Sequence, residues 1–475
     1  MYITVNKNDR RPIWIQIVDQ VIELSMSGKL HPGERLPPSR ELAHQIGVSR
    51  SSVQIAYEEL QARGYVTTFR RGGTRISSMY EAFDSRPERD SQPVMPQYSL
   101  LQEASERVNN WLPSHRNQQI DIDFRLHDTF IDSAFQQSWH RAFNRASKRM
   151  KPVDWGPAPS YGLSTLRDEI RNYLAFERGI HVKTEQILLT SGARQSMDLI
   201  TQGLLKEGEL VSVEDPGFPA AWASMVFRKM NVECIPVDDQ GIVVNQISPL
   251  SKLIFVTPSH QCATGVLLSA QRRSELLDVA VRNRAWIIED DYDGEFRYRG
   301  GPLPTLLSQN HTNVLYLLSF SKTLAAGVRI SAIVGPESAI ERLAKLQDLL
   351  NRHLSIMEQY TLEQFIVSGD FMKHIRRVRS LYYKRHRKLI KSLAAYNLGS
   401  LFTFSGTETG LHVLLEADQS FDEFAVVYKA LEKGVGIFPL SPYCFECNRK
   451  GILLGFANVE SSLIEEGVKR LAEII

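Results

Sequence analysis

The chain has 475 residues, more than one hydrophobic core usually organises, so we expect a small domain beside a large one, or three comparable ones. Its formal net charge is only +2, and no apolar run approaches the ~18 residues that cross a bilayer, which argues against a membrane protein. The first residues lack a basic segment followed by an apolar stretch, so we expect the protein to be cytoplasmic.

The first 78 residues show the apolar periodicity of three short helices followed by two strands. Ser39 and Ser49 stand where N-caps of the second and third helices belong, and glycines follow each helix. The predicted elements are helices from Pro12 to Gly28, Ser39 to Gly47 and Ser49 to Gly64, and strands at 65–69 and 74–77. This order predicts a winged helix-turn-helix domain at residues 1–78.

The same segment is basic, with eleven Lys and Arg against seven Asp and Glu. Donors at the start of a recognition helix suit base edges, and nearby arginines suit phosphates. An alternative is a winged module used only for protein contacts. The residues predicted to bind DNA are Arg35, Arg40, Ser49, Arg50, Ser51, Ser52, Gln54, Arg70 and Arg71.

Residues 79–119 are rich in Ser, Pro, Gln, Arg and Glu and predict a linker, with one short helical candidate at 100–111. From residue 120 to 475, apolar strands alternate with helical patterns, which predicts an α/β domain with a mostly parallel sheet. Such a sheet places ligands at the carboxyl ends of its strands. The predicted strands are 187–189, 210–213, 253–256, 286–288 and 314–318.

A lysine and several phosphate-binding side chains follow the last of these strands. The segment Ser319 to Lys322 comes directly after it, so the hydroxyls of Ser319 and Ser321 lie near Lys322 in the sequence, and Arg329 follows. An amine together with hydroxyls and a cation suits an aldehyde that carries a phosphate. The pattern therefore indicates a pyridoxal phosphate (PLP) site.

Three other strand ends supply the remaining groups of such a site. Asp290 can keep a pyridine nitrogen protonated, and Tyr292 can donate to the phenolic oxygen of the ring. Ala193 and Arg194 begin a helix whose amides suit a phosphate. Phe218 follows another strand and can lie against the ring, although an aromatic there is by default core.

These motifs carry a resemblance over nearly the whole chain. Residues 34–43, with Val48-Ser49-Arg50, resemble the GntR-type DNA-binding domain, and the chain from about 120 resembles fold-type I aminotransferases. The fusion is similar to the MocR (GabR-like) family of regulators. The resemblance implies PLP as cofactor, Lys322 as the Schiff-base lysine and a homodimer. It also implies cofactor-binding roles for Asp290, Tyr292, Phe218, Ser319, Arg329, Ala193 and Arg194.

The sequence departs from the family pattern at Pro38, where Ser is more usual, and at two places in the C-terminal part. In the segment 259–265, Cys262 replaces an aromatic residue and Ala263 a proline, and we expect the neighbouring His260 to border the cofactor. Leu453 stands where aminotransferases place the arginine that binds a substrate carboxylate. Losing that bidentate partner weakens turnover of α-amino acids.

Two of the four cysteines, Cys444 and Cys447, have C-x-x-C spacing. The spacing suits half a zinc site or a redox pair, but a second ligand pair at metal spacing is missing from the sequence. We therefore interpret them as packing thiols and predict no metal.

The function predicted from the sequence is a PLP-dependent, DNA-binding transcriptional regulator that senses PLP or an amino compound. One alternative is an active aminotransferase with a DNA-binding head, against which Leu453 argues. Another is a scaffold that has lost its cofactor, against which Lys322, Asp290 and Arg329 argue. The sequence leaves the effector, the operator and the sign of regulation open.

Overall fold

The computed structural model describes residues 3–7, 9, 11–69, 72–77, 120–126, 129–298, 303–309 and 312–475. The chain divides into two compact units, Met1–Gln97 and Tyr98–Ile475. No helix among the described residues is long and apolar enough to cross a membrane. The predicted linker at 79–119, with its helical candidate, lies outside the described residues, as do Arg70 and Arg71.

The described part of the N-terminal unit contains three helices and a hairpin, as predicted. Its elements are α1 (Ile13–Met26), α2 (Ser39–Gln45), α3 (Arg50–Ala62), β1 (Val66–Phe69) and β2 (Gly73–Ile76). The two strands are antiparallel, and the segment 33–36 extends their sheet because Leu36 N–H donates to the Thr74 carbonyl. Ile17, Leu42 and Val53 bring the helices together in one buried core.

The two predicted helix caps differ. Ser49 caps α3 as predicted, because its hydroxyl accepts from the Ser52 N–H at 3.2 Å. Ser39 is instead the first residue of α2, and the N-cap is Pro38, with no side-chain hydrogen bond. The prediction for Ser39 is wrong because the cap residue must have non-helical dihedral angles, and here it is Pro38 that has them, with ψ 144°.

The C-terminal unit is built on an eight-stranded sheet in the order β4-β11-β10-β9-β8-β5-β6-β7. The strands β5, β6, β8, β9 and β10 are parallel to their neighbours within that group, while β11 is antiparallel to both of its neighbours. The mostly parallel sheet is thereby confirmed. The strands are β3 (Ile122–Asp123), β4 (Ile187–Thr190), β5 (Leu210–Asp215), β6 (Asn231–Asp238), β7 (Gly241–Ile242), β8 (Leu253–Val256), β9 (Trp286–Asp291), β10 (Val314–Ser319) and β11 (Ser331–Val334).

Helices cover both faces of this sheet, so its strands consist of continuous apolar runs. Leu188 and Leu189, consecutive in β4, belong to two different apolar clusters. The α-helices among its described residues are α4 (Ser133–Arg149), α5 (Ser164–Arg178), α6 (Ala193–Leu204), α7 (Pro219–Phe227), α8 (Ala270–Asn283), α9 (Leu306–Gln309), α10 (Glu337–Leu350), α11 (Ile356–Val367), α12 (Asp370–Ala395), α13 (Glu423–Glu432) and α14 (Ile464–Ala472).

A smaller antiparallel sheet follows α12 in the chain. It has the order β12-β13-β16-β15, and a separate short strand, β14, pairs with β3. Its strands are β12 (Thr403–Ser405), β13 (His412–Ala417), β14 (Val435–Gly436), β15 (Phe438–Pro439) and β16 (Lys450–Gly455). Arg125, two residues after the end of β3, and Gly455, the last residue of β16, line the cavity described next.

Candidate cofactor site and DNA-binding surface

A cavity of about 360 Å³ lies at the carboxyl ends of β5, β9 and β10. This is the edge at which parallel sheets bind ligands. Nine of the ten residues predicted to bind the cofactor line it, and His260 does not. The nine are Ala193, Arg194, Phe218, Asp290, Tyr292, Ser319, Ser321, Lys322 and Arg329. The structure thus assembles one site from segments far apart in the sequence.

Lys322 follows the end of β10 and is half-buried in the cavity wall. Its Nζ donates a hydrogen bond to the carbonyl oxygen of Leu126 at 2.8 Å, and Leu126 itself lines the cavity. The bond fixes the direction of a long, flexible side chain. The amine is therefore held inside the cavity, where it can meet an electrophile.

Asp290, the penultimate residue of β9, is a buried carboxyl group in the cavity wall. Burial, together with the negative charges of Asp291, Asp293 and Glu214, raises its pKa to about 8. Its Oδ1 is buried and accepts no hydrogen bond from the described residues. An ionised carboxylate here requires a cationic donor.

Tyr292 is held by the residue that was expected to border the cofactor. Its hydroxyl donates to the His260 carbonyl at 3.0 Å and lies 3.0 Å from the Nδ1 of the same residue. His260 Nδ1 is also 2.8 Å from a carboxylate oxygen of Asp293. His260 thus lies buried behind Tyr292 and positions it, outside the cavity lining.

The part of the cavity wall at the start of α6 offers hydrogen-bond donors suited to an anion. Helix α6 begins there at Ala193, and its N-cap, Gly192, provides no side-chain hydrogen bond, so first-turn amides have no side-chain cap. The guanidinium of Arg329 bonds the Ser191 carbonyl at 2.7 Å. It lies so close to Gly192 (φ +98°) that a Cβ there would be 3.0 Å from it. A side chain at 192 would obstruct this anion-binding end.

Sequence reasoning missed several lining residues, notably Arg125, His412 and Tyr443. Arg125 donates to both carboxylate oxygens of Asp123, at 2.8 and 2.6 Å. Burial keeps the pKa of His412 well below its ordinary value, so this imidazole is neutral. No motif distinguished these residues, because Arg125 follows a two-residue strand, His412 begins β13 and Tyr443 ends a three-residue 3-10 helix.

Leu453 occupies the position where an arginine was expected in aminotransferases. It lies in β16, opposite Leu414, and is completely buried. Ala263 and Phe438 belong to the same apolar cluster. A guanidinium has no place in these surroundings, and Leu453 does not line the cavity.

The predicted DNA-binding residues that the structure describes cluster at two places in the N-terminal unit. Arg50, Ser51 and Gln54 are exposed in the first two turns of α3, and Ser52 beside them is half-buried. Arg35 and Arg40 are exposed before and in α2. The start of α3 therefore presents guanidinium, hydroxyl and amide groups to solvent, as a recognition helix requires.

Comparison with protein families gives two matches. Residues 138–471, well over half of the chain, match the family "Aminotransferase class I and II". Residues 15–76 match "Bacterial regulatory proteins, gntR family". The two matches fall on the two units separately.

Curated relatives share both parts. An uncharacterized HTH-type transcriptional regulator, YdeL, of Bacillus subtilis is 33% identical over 97% of this chain and 96% of its own. The pyridoxine biosynthesis transcriptional regulator PdxR of Corynebacterium glutamicum is 30% identical, covering 100% of this chain and 98% of its own. The probable rhizopine catabolism regulatory protein MocR of Rhizobium meliloti is 29% identical, covering 97% and 93%.

Among solved structures, the α-aminoadipate aminotransferase LysN of Thermus thermophilus superposes with a TM-score of 0.70 at 22% identity, covering 78% of this chain and 96% of its own. An archaeal alanine:glyoxylate aminotransferase superposes with a TM-score of 0.69 at 23% identity, covering 79% and 94%. These likenesses show the fold of the C-terminal unit.

Proposed function

Because the chain belongs to the MocR-type family of HTH transcriptional regulators, which join a GntR domain to a class I aminotransferase domain, we propose that it regulates transcription in response to an amine or to PLP. The chain is a DNA-binding regulator with PLP as cofactor. The proposal adds that Lys322 holds the cofactor and that the site residues act as assigned below.

The cavity residues fit PLP on the observations already described. The orphaned Oδ1 of Asp290 suits a protonated pyridine nitrogen, which would also lower the cost of burying the carboxylate. The N-terminus of α6 and Arg329 suit the phosphate. Bound PLP supplies an aldehyde that reacts with amines and a ring that withdraws electrons. Lys322 supplies the amine that holds the aldehyde.

The observation that carries a sensing role is the environment of Leu453. It is sealed among apolar side chains and offers no guanidinium to a substrate carboxylate. The guanidinium of Arg125 does face the cavity but is already bonded by Asp123 at two atoms. That ion pair already neutralises the positive charge of Arg125, which weakens its attraction for an incoming carboxylate. The cavity therefore favours holding a cofactor and an amine over rapid turnover of amino acids.

A regulator must bind its effector differently in its two DNA-binding states. We infer that the chain acts as a homodimer, because a two-fold dimer reads two half-sites and couples them. We also infer a cytoplasmic location, where such a protein meets its operator.

The test compares Lys322→Ala with Lys345→Ala, an exposed lysine on α10 that pairs only with Glu341 among the described residues. The operator is first isolated by selecting bound fragments from random-sequence DNA. The Lys322 variant should lose the visible absorbance band of the bound cofactor and the effect of PLP and amines on operator binding. It should still bind the operator itself, and the Lys345 variant should behave as the wild type.

Two results contradict the proposal. An unchanged response in the Lys322 variant would remove Lys322 from the sensing role. Steady conversion of an amino acid to its keto acid by the wild type, with a keto acid as acceptor, would make the chain an aminotransferase that carries a DNA-binding head.

A further inference from the structure

A second cluster of ligating groups lies outside the cavity, where the loop at 443–449 folds over the end of β5. Asp215, the last residue of β5, is buried and fixes this loop. Its Oδ1 accepts the Phe445 N–H at 2.9 Å, and its Oδ2 accepts those of Glu446 at 2.9 Å and Cys447 at 2.7 Å. The carboxylate is therefore held rigidly against the loop that carries both cysteines.

Both cysteine sulfurs lie beside this carboxylate. The Cys447 thiol donates to Asp215 Oδ1 at 3.2 Å. One ligand atom each from Asp215, Cys444 and Cys447 all lie within 4.8 Å of one another. Tetrahedral zinc, bound at ~2.3 Å by sulfur and ~2.1 Å by oxygen, needs ligand atoms about 3.5–3.8 Å apart. The three atoms thus need only small side-chain movements to surround one ion.

We propose that Asp215, Cys444 and Cys447 form a binding site for Zn²⁺, with a fourth position open to water. Two sulfurs and one carboxylate oxygen are a ligand set that zinc accepts. The sequence motif concealed the site, because the third ligand is more than two hundred residues away from the C-x-x-C pair. The spacing of ligands in the sequence therefore could not identify Asp215 as the third ligand.

The hydrogen bonds around Asp215 leave room for such an ion. A carboxylate has about four acceptor positions, and here three backbone N–H groups and one thiol occupy them. Zinc would take the position that the thiol proton now occupies, so the backbone bonds that hold the loop survive. Binding one Zn²⁺ releases the two thiol protons to solvent and forms two Zn–S bonds and one Zn–O bond.

The surroundings compensate the charge of the occupied site. Zn²⁺ with two thiolates and a carboxylate has a net charge of −1. The guanidinium of Arg449 interacts electrostatically with both thiols and is itself oriented by Glu416. Its fixed positive charge opposes the net negative charge of the occupied site.

The site also braces one wall of the cavity. The Gly217 N–H donates to the Tyr443 carbonyl at 2.8 Å, and the residues that follow them, Phe218 and Cys444, belong to the cavity wall and the proposed site respectively. The Phe445 ring stacks on Trp222 with centroids 5.5 Å apart. Metal binding would therefore hold the two loops together.

The test uses the reduced, metal-stripped full-length protein, equilibrated with Zn²⁺ and a chromophoric chelator that competes for it. The wild type should retain one ion per chain and release two protons for each ion bound, measured by calorimetry in buffers of different ionisation enthalpy. Cys444→Ser and Cys447→Ser should each lose most of this binding. Cys234→Ser, on β6, is the matched control and should retain it.

A second readout does not depend on the chelator. Zn²⁺ should raise the unfolding temperature of the wild type and the Cys234 variant but not of the Cys444 and Cys447 variants, because a ligand stabilises only the state that binds it. Asp215 is left intact, since removing the acceptor of three backbone bonds endangers the fold.

Several outcomes would overturn the site. One is a wild type that gives up all its zinc to the chelator, and another is a Cys447 variant that keeps as much as the wild type. A third is a reduced protein that binds no zinc and that, in air, loses two titratable thiols which a reductant then restores. That result would make the cysteines a disulfide pair.

Discussion

The DNA-binding surface and the cofactor cavity of this chain differ in how far their side chains are buried and hydrogen-bonded before a ligand binds. At the start of α3, Arg50 and Ser51 are exposed, and Arg50 forms no ion pair with any residue that the structure describes. In the cavity, Lys322 is already bonded to a carbonyl and Asp290 is buried without a donor at Oδ1. The DNA-binding surface is solvated, whereas the cavity contains polar groups that have lost their contact with water.

The difference predicts how each surface responds to substitution. Solvated DNA contacts act nearly independently and are screened by salt, so their losses should be moderate and should depend on ionic strength. Buried polar groups of the cavity lower the stability of the protein when no ligand pairs with them, and they strengthen binding when a ligand does. A cavity substitution can therefore have opposite effects on the empty and the loaded protein.

Asp290→Asn should show this reversal most strongly. The amide cannot stabilise a protonated pyridine nitrogen, so PLP affinity should fall roughly tenfold to hundredfold, the value of a hydrogen bond between charged groups. In the cofactor-free protein the same substitution should be increasingly stabilising above about pH 4 and fully so above about pH 8, because it removes a carboxyl group whose pKa burial has raised to about 8. Cofactor titration and urea unfolding measure the two effects.

The sign follows from the proton count. Between about pH 4, where the unfolded chain ionises, and about pH 8, the folded chain holds a proton on Asp290 that the unfolded chain has lost, so stability falls as pH rises. The Asn variant lacks this slope. Glu214 and Glu289, whose pKa values burial raises to about 7, are common to both proteins. Asp348→Asn, on the exposed face of α10, is the control. Equal PLP affinities for the wild type and Asp290→Asn would refute the assignment of Asp290 to the pyridine nitrogen.

The sequence predicted most of the cavity because strand ends in a parallel sheet must meet. Lys322, Asp290 and Phe218 each follow a recognisable apolar strand, so their convergence could be inferred. Arg125 and Tyr443 could not be found in this way, because the two-residue strand before Arg125 and the three-residue helix that ends at Tyr443 are too short to show periodicity. His260 was expected at the cavity for its neighbours in sequence, but the Tyr292 side chain lies in front of it.

The DNA-binding surface was predictable for a different reason, since its residues are nearly contiguous in the sequence. Its limits were local. The extension of the hairpin by residues 33–36 depends on backbone pairing with β2, which no side-chain pattern announces. Arg35, in that extension, lies with its guanidinium against Gly73 of the hairpin.

Arg50→Ala should reduce specific operator binding by about 1–3 kcal/mol and leave the cofactor absorbance unchanged. The matched control is Arg63→Ala, at the other end of α3, where the guanidinium bonds Glu59 at 2.7 Å. Fluorescence anisotropy with operator and with unrelated DNA at one salt concentration separates sequence-specific binding from binding to any DNA. Equal losses on both DNAs would show that Arg50 contacts phosphate and does not read bases.

The smallest predicted effect tests the cap on which the recognition helix depends. Ser49→Ala should lower the stability of α3 by about 1 kcal/mol, because the Ser52 N–H loses its acceptor, whereas Ser39→Ala should be close to neutral. Amide hydrogen exchange of the full-length protein measures this as faster exchange at the start of α3 in the first variant only. If Ser39→Ala instead destabilised α2 as much as Ser49→Ala destabilises α3, the serine would be acting as the cap that the sequence suggested, and the assignment of Pro38 would fail. The serine pair thus separates a residue type that favours caps from a backbone that places it in one.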